Sequence, residues 1–216
     1  MAEERHAPAV ADPGPLGLGA FALTTFVLSA HNAGWAPDII WVGLALFYGG
    51  LAQFMAGMWE FRRNNTFAST AFSTYGGFWL ALGTFVLLIL FGRVPTTGAG
   101  AVNVDSALGW FVLAFAIFNT YMMLWSTRVN AAVFGVFLTL EITEILLFIG
   151  FFSANANIIK LGGIVGIITA LVAWYASAAG VISSLGTPVL PVGKPLWTGG
   201  ASASTAGRVG PAATGE

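Results

Sequence analysis

Long apolar runs separated by short polar links make up most of the chain, with the runs at about 16–33, 39–59, 68–92, 108–127, 130–152 and 158–185. Each is close to the roughly 20 residues that an α-helix needs to cross a hydrocarbon core of about 30 Å. The pattern predicts an all-α, polytopic membrane protein with a bundle of six transmembrane helices. The links carry helix-ending residues: Asn32-Ala33-Gly34 and Pro37-Asp38, then Arg62-Arg63-Asn64-Asn65, then Pro95-Thr96-Thr97-Gly98, then Ser153 to Asn157. Residues 1–12 read as a polar N-terminal arm. Residues 187–216, rich in Pro, Gly and Ala, read as a tail, which leaves 13–186 as the transmembrane domain.

Composition agrees with the pattern. Of 216 residues, 57% are hydrophobic and 8% charged, which excludes a soluble domain, where roughly a quarter would be charged. A net charge of −1 with eight scattered basic residues gives no footprint for nucleic acid. With no cysteine, no P-loop, no dinucleotide fingerprint and only His6 and His31 as histidines, neither an enzyme nor a metal or cofactor site is expected. Lys160 and Lys194 sit at helix ends or beyond, where neither can carry a retinal Schiff base. Basic residues set orientation: with the N-terminus inside, Arg5, Arg62, Arg63, Arg128, Lys194 and Arg208 are cytoplasmic, against Arg93 and Lys160 outside. This predicts a cell-membrane protein, inner or plasma, with both termini in the cytoplasm. A cleaved signal peptide ending near Leu28-Ser29-Ala30 is the weaker alternative, because Thr24 and Thr25 interrupt its apolar region. Glycines inside the spans, such as Gly49, Gly50, Gly76, Gly162, Gly163 and Gly166, predict close helix contacts.

Polar groups at membrane depth are costly unless they face protein or water, so they mark candidate sites. Glu141 and Glu144 stand out in the fifth span, one turn apart on a common face. They suit a proton-coupled or pore-lining site, or alternatively a structural bridge to another helix or subunit. Thr25, Ser29 and Asn32 share a face of the first span, with His31 on an adjoining one. Gln53 and Asn119 complete the set of carboxylate- or proton-handling candidates.

The run Asp12-Pro13-Gly14-Pro15-Leu16-Gly17-Leu18-Gly19-Ala20-Phe21 resembles the Asn-Pro-Ala-Pro-Leu-Gly-Leu signature of the acetate uptake transporter family, of the succinate–acetate permease type. The likeness continues through His31-Asn32-Ala33-Gly34, Phe47 to Gln53, Gly57-Met58-Trp59-Glu60-Phe61, Asn65-Thr66-Phe67 and Ala71 to Leu80, over roughly 12–193. The resemblance implies six helices per subunit, a homo-oligomer that is a hexamer, and a substrate path through each protomer. It implies small carboxylates as substrates, acetate and in some members succinate, often with protons. It also implies a narrow constriction formed by Phe21, Tyr75 and Leu140, with Pro13, Pro15, Leu16, Gly17 and Leu18 as the signature residues. Two departures are visible. Asp12 and Gly14 stand where the signature usually has Asn and Ala, and Glu141 and Glu144 replace apolar or hydroxyl residues. The expected function is a channel-like, proton-coupled transporter of acetate and related small carboxylates. The alternatives are a non-transporting sensory or structural protein on the same scaffold, or an ammonium or cation path lined by the two acids.

Overall fold

A computed structural model describes residues 10–186 and 188–198. Most of the expected N-terminal arm, with Arg5 and His6, and the last part of the tail, with Arg208, lie outside the described residues. Six helices long and apolar enough to cross a membrane follow one another: α1 (Gly14–Asn32), α2 (Ile40–Arg62), α3 (Thr66–Leu90), α4 (Val104–Ser126), α5 (Ala131–Phe152) and α6 (Ala156–Ser184). There is no strand among the described residues. Large apolar side chains such as Phe47, Trp110, Ile117, Leu124 and Leu171 point outward, as a lipid-facing surface requires. The chain is a multi-pass membrane protein.

The helix starts follow from four asparagines. Asn65 accepts the Ala68 N–H at 3.2 Å, Asn103 that of Ser106 at 2.9 Å, Asn130 that of Val133 at 2.8 Å, and Asn155 that of Asn157 at 3.0 Å. Each cap satisfies an otherwise orphaned donor and is worth about 1 kcal/mol. The cap at Asn103 explains why α4 begins a turn before the expected start at 108. Asp105, polar by pattern, occupies the first turn, where the positive end of the helix dipole favours an acid. Likewise α2 continues past 59 to Arg62, keeping Glu60 on its buried stripe.

α1 is the central helix, packed along α6 and touching α2 and α3. The α1–α6 contact is made backbone to backbone: a Cβ added at Gly163 would lie 2.5 Å from the Ala33 nitrogen and 2.6 Å from the Ser29 carbonyl oxygen. Where α2 crosses α1, residues Phe47–Ala52 form a π-helical stretch. A Cβ at Gly49 would meet Thr24 of α1 at 2.6 Å, so the widened turn is in direct contact with its neighbour. Below it Gln53, Ala56, Gly57 and Glu60 are buried at helical spacing.

After α6 the chain returns over the α4–α5 link. Val192 accepts the Ala132 N–H at 2.9 Å, and the Thr127 carbonyl accepts from Leu196 at 2.8 Å and Trp197 at 3.1 Å. The Trp197 ring stacks on Trp125 with centroids 5.9 Å apart, and the Arg128 guanidinium lies 5.3 Å from the Trp197 centroid. Residues 188–198 are thereby tied to the bundle.

The glycine contacts give a paired prediction for thermal unfolding in detergent. Gly163→Val is expected to cost about 1–3 kcal/mol through overpacking. Gly77→Ala, with nothing within 4 Å of the added carbon, is expected to leave the melting temperature unchanged or raised.

Candidate functional site

Three cavities follow one another along α1. The first, about 280 Å³, lies at the N-terminal end of α1 and is lined by Leu18, Phe21, Gln53, Tyr75, Phe137 and Leu140, with Asp12, Glu60 and Arg63 at its mouth. The central one, about 40 Å³, runs beside α1 from Phe21 through Thr25 and Leu28 to Asn32. The third, about 310 Å³, shares Leu28 and Asn32 with the central one and reaches His31 and Asp38 at the other end. Phe21, Tyr75 and Leu140 line both the first cavity and the central one, so these three side chains are the wall between them. All three are buried, and the Phe21 and Tyr75 rings meet edge to face with centroids 5.8 Å apart. Phe115 and Phe118 of α4, with Phe78 of α3, pack around the Tyr75 ring and fix its position.

Behind this wall runs a hydrogen-bond network that joins α3, α4 and α5. The Tyr75 hydroxyl donates to Asn119 Oδ1 at 2.9 Å. Asn119 Nδ2 donates to the Phe137 carbonyl at 2.9 Å and to Glu141 Oε2 at 2.6 Å. The single Thr120 hydroxyl hydrogen is shared between Glu141 Oε1 at 2.7 Å and the Ala116 carbonyl at 2.9 Å. Glu144 Oε1 lies 3.4 Å from the same Tyr75 hydroxyl. A phenol has one hydrogen to give. With that hydrogen on Asn119, the Glu144 contact is complete only when the carboxyl supplies the hydrogen itself.

The two glutamates therefore differ in kind. Glu141 turns toward α4, has a polar contact at each oxygen and lines none of the three cavities. Glu144 is 4% exposed, lines the central cavity and has no hydrogen-bond partner for Oε2 among the described residues. Thr25 Oγ1 and Trp79 Nε1 line the same cavity and are likewise without partners among the described residues. Buried polar groups left in this way are rare, and three around one small cavity describe a space shaped for a polar guest of a few heavy atoms.

The other sequence candidates are distributed as follows. Asn32 lines the passage between central and third cavities, and Gln53 lines the first, with its Oε1 buried and unpartnered among the described residues. Asn119 is fully buried behind Tyr75 and lines no cavity of the three. Of the signature residues, Leu18 lines the first cavity, while Pro13 is buried. The Pro15 carbonyl accepts from Ser177 at 2.6 Å, and a Cβ at Gly17 would meet the Phe72 ring at 2.7 Å. Leu16 is half exposed on the outer face.

Two groups of side chains in the candidate site were not singled out by sequence reasoning. Trp79 follows Tyr75 by four positions, a spacing that puts both on one face of α3. Glu60 precedes Arg63 by three, the corresponding signal for the charged mouth.

With this geometry in view, comparison with known proteins is informative. The profile of the GPR1/FUN34/yaaH family matches residues 2–194. The chain belongs to that family. It is 36% identical over 187 residues to the succinate-acetate/proton symporter SatP of Escherichia coli K12, covering 86% of this chain and 96% of that protein. It is 39% identical over 175 residues to ammonia transport outward protein 2 of Saccharomyces cerevisiae, covering 79% of this chain and 61% of that protein. A solved structure of the bacterial acetate channel SatP superposes with a TM-score of 0.79 at 35% identity, covering 86% of this chain and 100% of that one. The chain spans 61% to 67% of the length of three fungal relatives it matches.

The network makes Asn119 the residue whose loss is felt by three helices of this family member. Asn119→Ala leaves Glu141 and the Phe137 carbonyl short of a donor and is expected to destabilise the detergent-solubilised protein by about 1–3 kcal/mol. Adding Glu141→Gln, which removes the stranded charge, is expected to recover part of that loss in the same thermal assay.

Proposed function

We propose that this member of the GPR1/FUN34/yaaH family is a channel-like carrier of acetate and related small carboxylates, succinate among them, with one path in each protomer of a homo-hexamer. The observation that carries the reading is the row of three cavities along α1, interrupted at one place by the Phe21, Tyr75 and Leu140 side chains. The names of the E. coli symporter and of the bacterial acetate channel support the same substrate class. The reading is of a transporter rather than an enzyme, and it needs no cofactor.

The physical logic runs through desolvation. Moving an unpaired carboxylate through an apolar ring costs several kcal/mol, whereas a neutral acid of the same size passes far more cheaply. In the central cavity, which an inward-moving guest reaches before the ring, the Trp79 N–H and Thr25 hydroxyl are free to donate to its oxygens. Glu144, when it carries a hydrogen, gives it either from Oε1 to the Tyr75 hydroxyl or from Oε2 to the guest, one at a time. Loss of that hydrogen to the guest neutralises it, which couples substrate and proton at one position. Gln53, on the cytoplasmic side of the ring, offers its amide to the same oxygens once the ring is crossed. The transport domain is 13–186, with both termini on the cytoplasmic side of the inner or plasma membrane. Arg62, Arg63, Arg128 and Lys194 at one end of the bundle, against Arg93 and Lys160 at the other, support that orientation.

A second reading has its own observation. An unpartnered carboxylate oxygen facing the Phe21, Tyr75, Phe78 and Trp79 rings also suits an ammonium ion, and one relative is named for ammonia transport.

The test is flux into proteoliposomes of purified protein, measured for labelled acetate and for ammonium, with and without an inward proton gradient. Wild type is expected to accumulate acetate under the gradient. Glu144→Gln, which keeps a hydrogen-bond donor but no transferable proton, is expected to lose gradient-driven accumulation by about tenfold. Tyr75→Ala, which opens the ring, is expected to admit bulkier carboxylates. Ammonium flux without acetate flux would favour the second reading, and flux of neither would leave a non-transporting protein.

A further inference from the structure

The mouth of the first cavity holds three charged side chains, and Arg63 is the one cation among the described residues that line it. Its Nη1 donates to Asp12 Oδ1 and lies 3.5 Å from Glu60 Oε2. The two acids are held very differently. The Glu60 side chain is 2% exposed, so it depends on Arg63 to avoid a buried unpaired charge. The Asp12 side chain is 49% exposed, on the short segment that leads into α1, and water can replace Arg63 at its oxygens. Asp12 also accepts the Gly14 N–H at 3.0 Å, a bond that keeps it beside the mouth.

One guanidinium between two carboxylates leaves a net negative charge where an anion would enter. The planar fork of an arginine nonetheless suits a carboxylate better than any other side chain does, and its Asp12 partner is the exchangeable one. Gln53 is 1% exposed and lines the same cavity, where its amide nitrogen is the group able to donate to a carboxylate.

We propose that Arg63 captures the carboxylate at the cytoplasmic end of the path and that Asp12 is a tethered competitor, which occupies the guanidinium until the substrate displaces it. The proposal rests on the transport reading above and adds a specificity-determining pair to it. A monocarboxylate that displaces Asp12 takes its place at Arg63 charge for charge. A dicarboxylate brings a second negative group beside Glu60 and the displaced Asp12, so the same pair selects against it.

The experiment is a kinetic comparison of acetate and succinate entry from the α1 N-terminal side in proteoliposomes. The proteins are wild type, Asp12→Asn, Arg63→Gln and the double variant. Asn keeps an oxygen for the Gly14 N–H and removes only the competing charge. Asp12→Asn is expected to lower the KM for acetate about threefold, with kcat little changed, and to raise the succinate-to-acetate rate ratio. Arg63→Gln is expected to raise KM and to abolish the effect of Asp12→Asn in the double variant. Because Arg63→Gln strands Glu60, it is repeated together with Glu60→Gln, and the high KM is expected to persist in that pair. An unchanged or higher KM in Asp12→Asn, or a wild-type KM in the Arg63→Gln, Glu60→Gln pair, would overturn the proposal while leaving the transport reading intact. Absence of wild-type acetate flux would overturn both.

Discussion

The amide of Asn119 is where three helices meet. Nothing in a hydrocarbon interior competes for its hydrogen bonds, and nothing there replaces them if they are lost. Its oxygen takes the Tyr75 hydrogen from α3, while its nitrogen serves the Phe137 carbonyl and Glu141 on α5. The consequence for the path is directional. With its hydroxyl held from behind, the Tyr75 ring stands fixed edge-on to Phe21, and the hydroxyl cannot also satisfy Glu144. The rigidity of the ring and the openness of Glu144 have one cause.

Much of the scaffold was readable in the chain. Six apolar runs became six helices, because in a bilayer length and hydrophobicity nearly decide the element. Boundaries were missed where polar residues belong to a helix: Asp105 in the capped first turn of α4, and Glu60 near the end of α2. The π-helical stretch at Phe47–Ala52 was not legible at all, since apolar periodicity carries no sign of a widened turn. Its glycines were noted only as contacts, although Gly49 pressed on Thr24 is where α2 and α1 close together.

The site was legible in parts. Spacing placed Glu141 and Glu144 on one helix face, but spacing cannot tell which partners each meets. Thr120 and Asn119 claim the first, and a cavity is left for the second. Trp79 passed as an ordinary aromatic because a tryptophan reveals its polar function only when its N–H is found without a partner. Packing across helices, which a single sequence does not display, separates structural acids from available ones.

The apolar wall between the first and central cavities has a consequence for leakage. Phe21 and Leu140 carry no polar side-chain atom, and the Tyr75 hydroxyl is turned to Asn119, so no continuous file of water can bridge the ring while it is closed. Without such a file, hydrogen ions have no relay of their own. In the proposed transport they cross as passengers on the guest molecule. On the transport reading proposed above, a pore built this way keeps the membrane's electrochemical charge when idle and discharges it only in proportion to cargo.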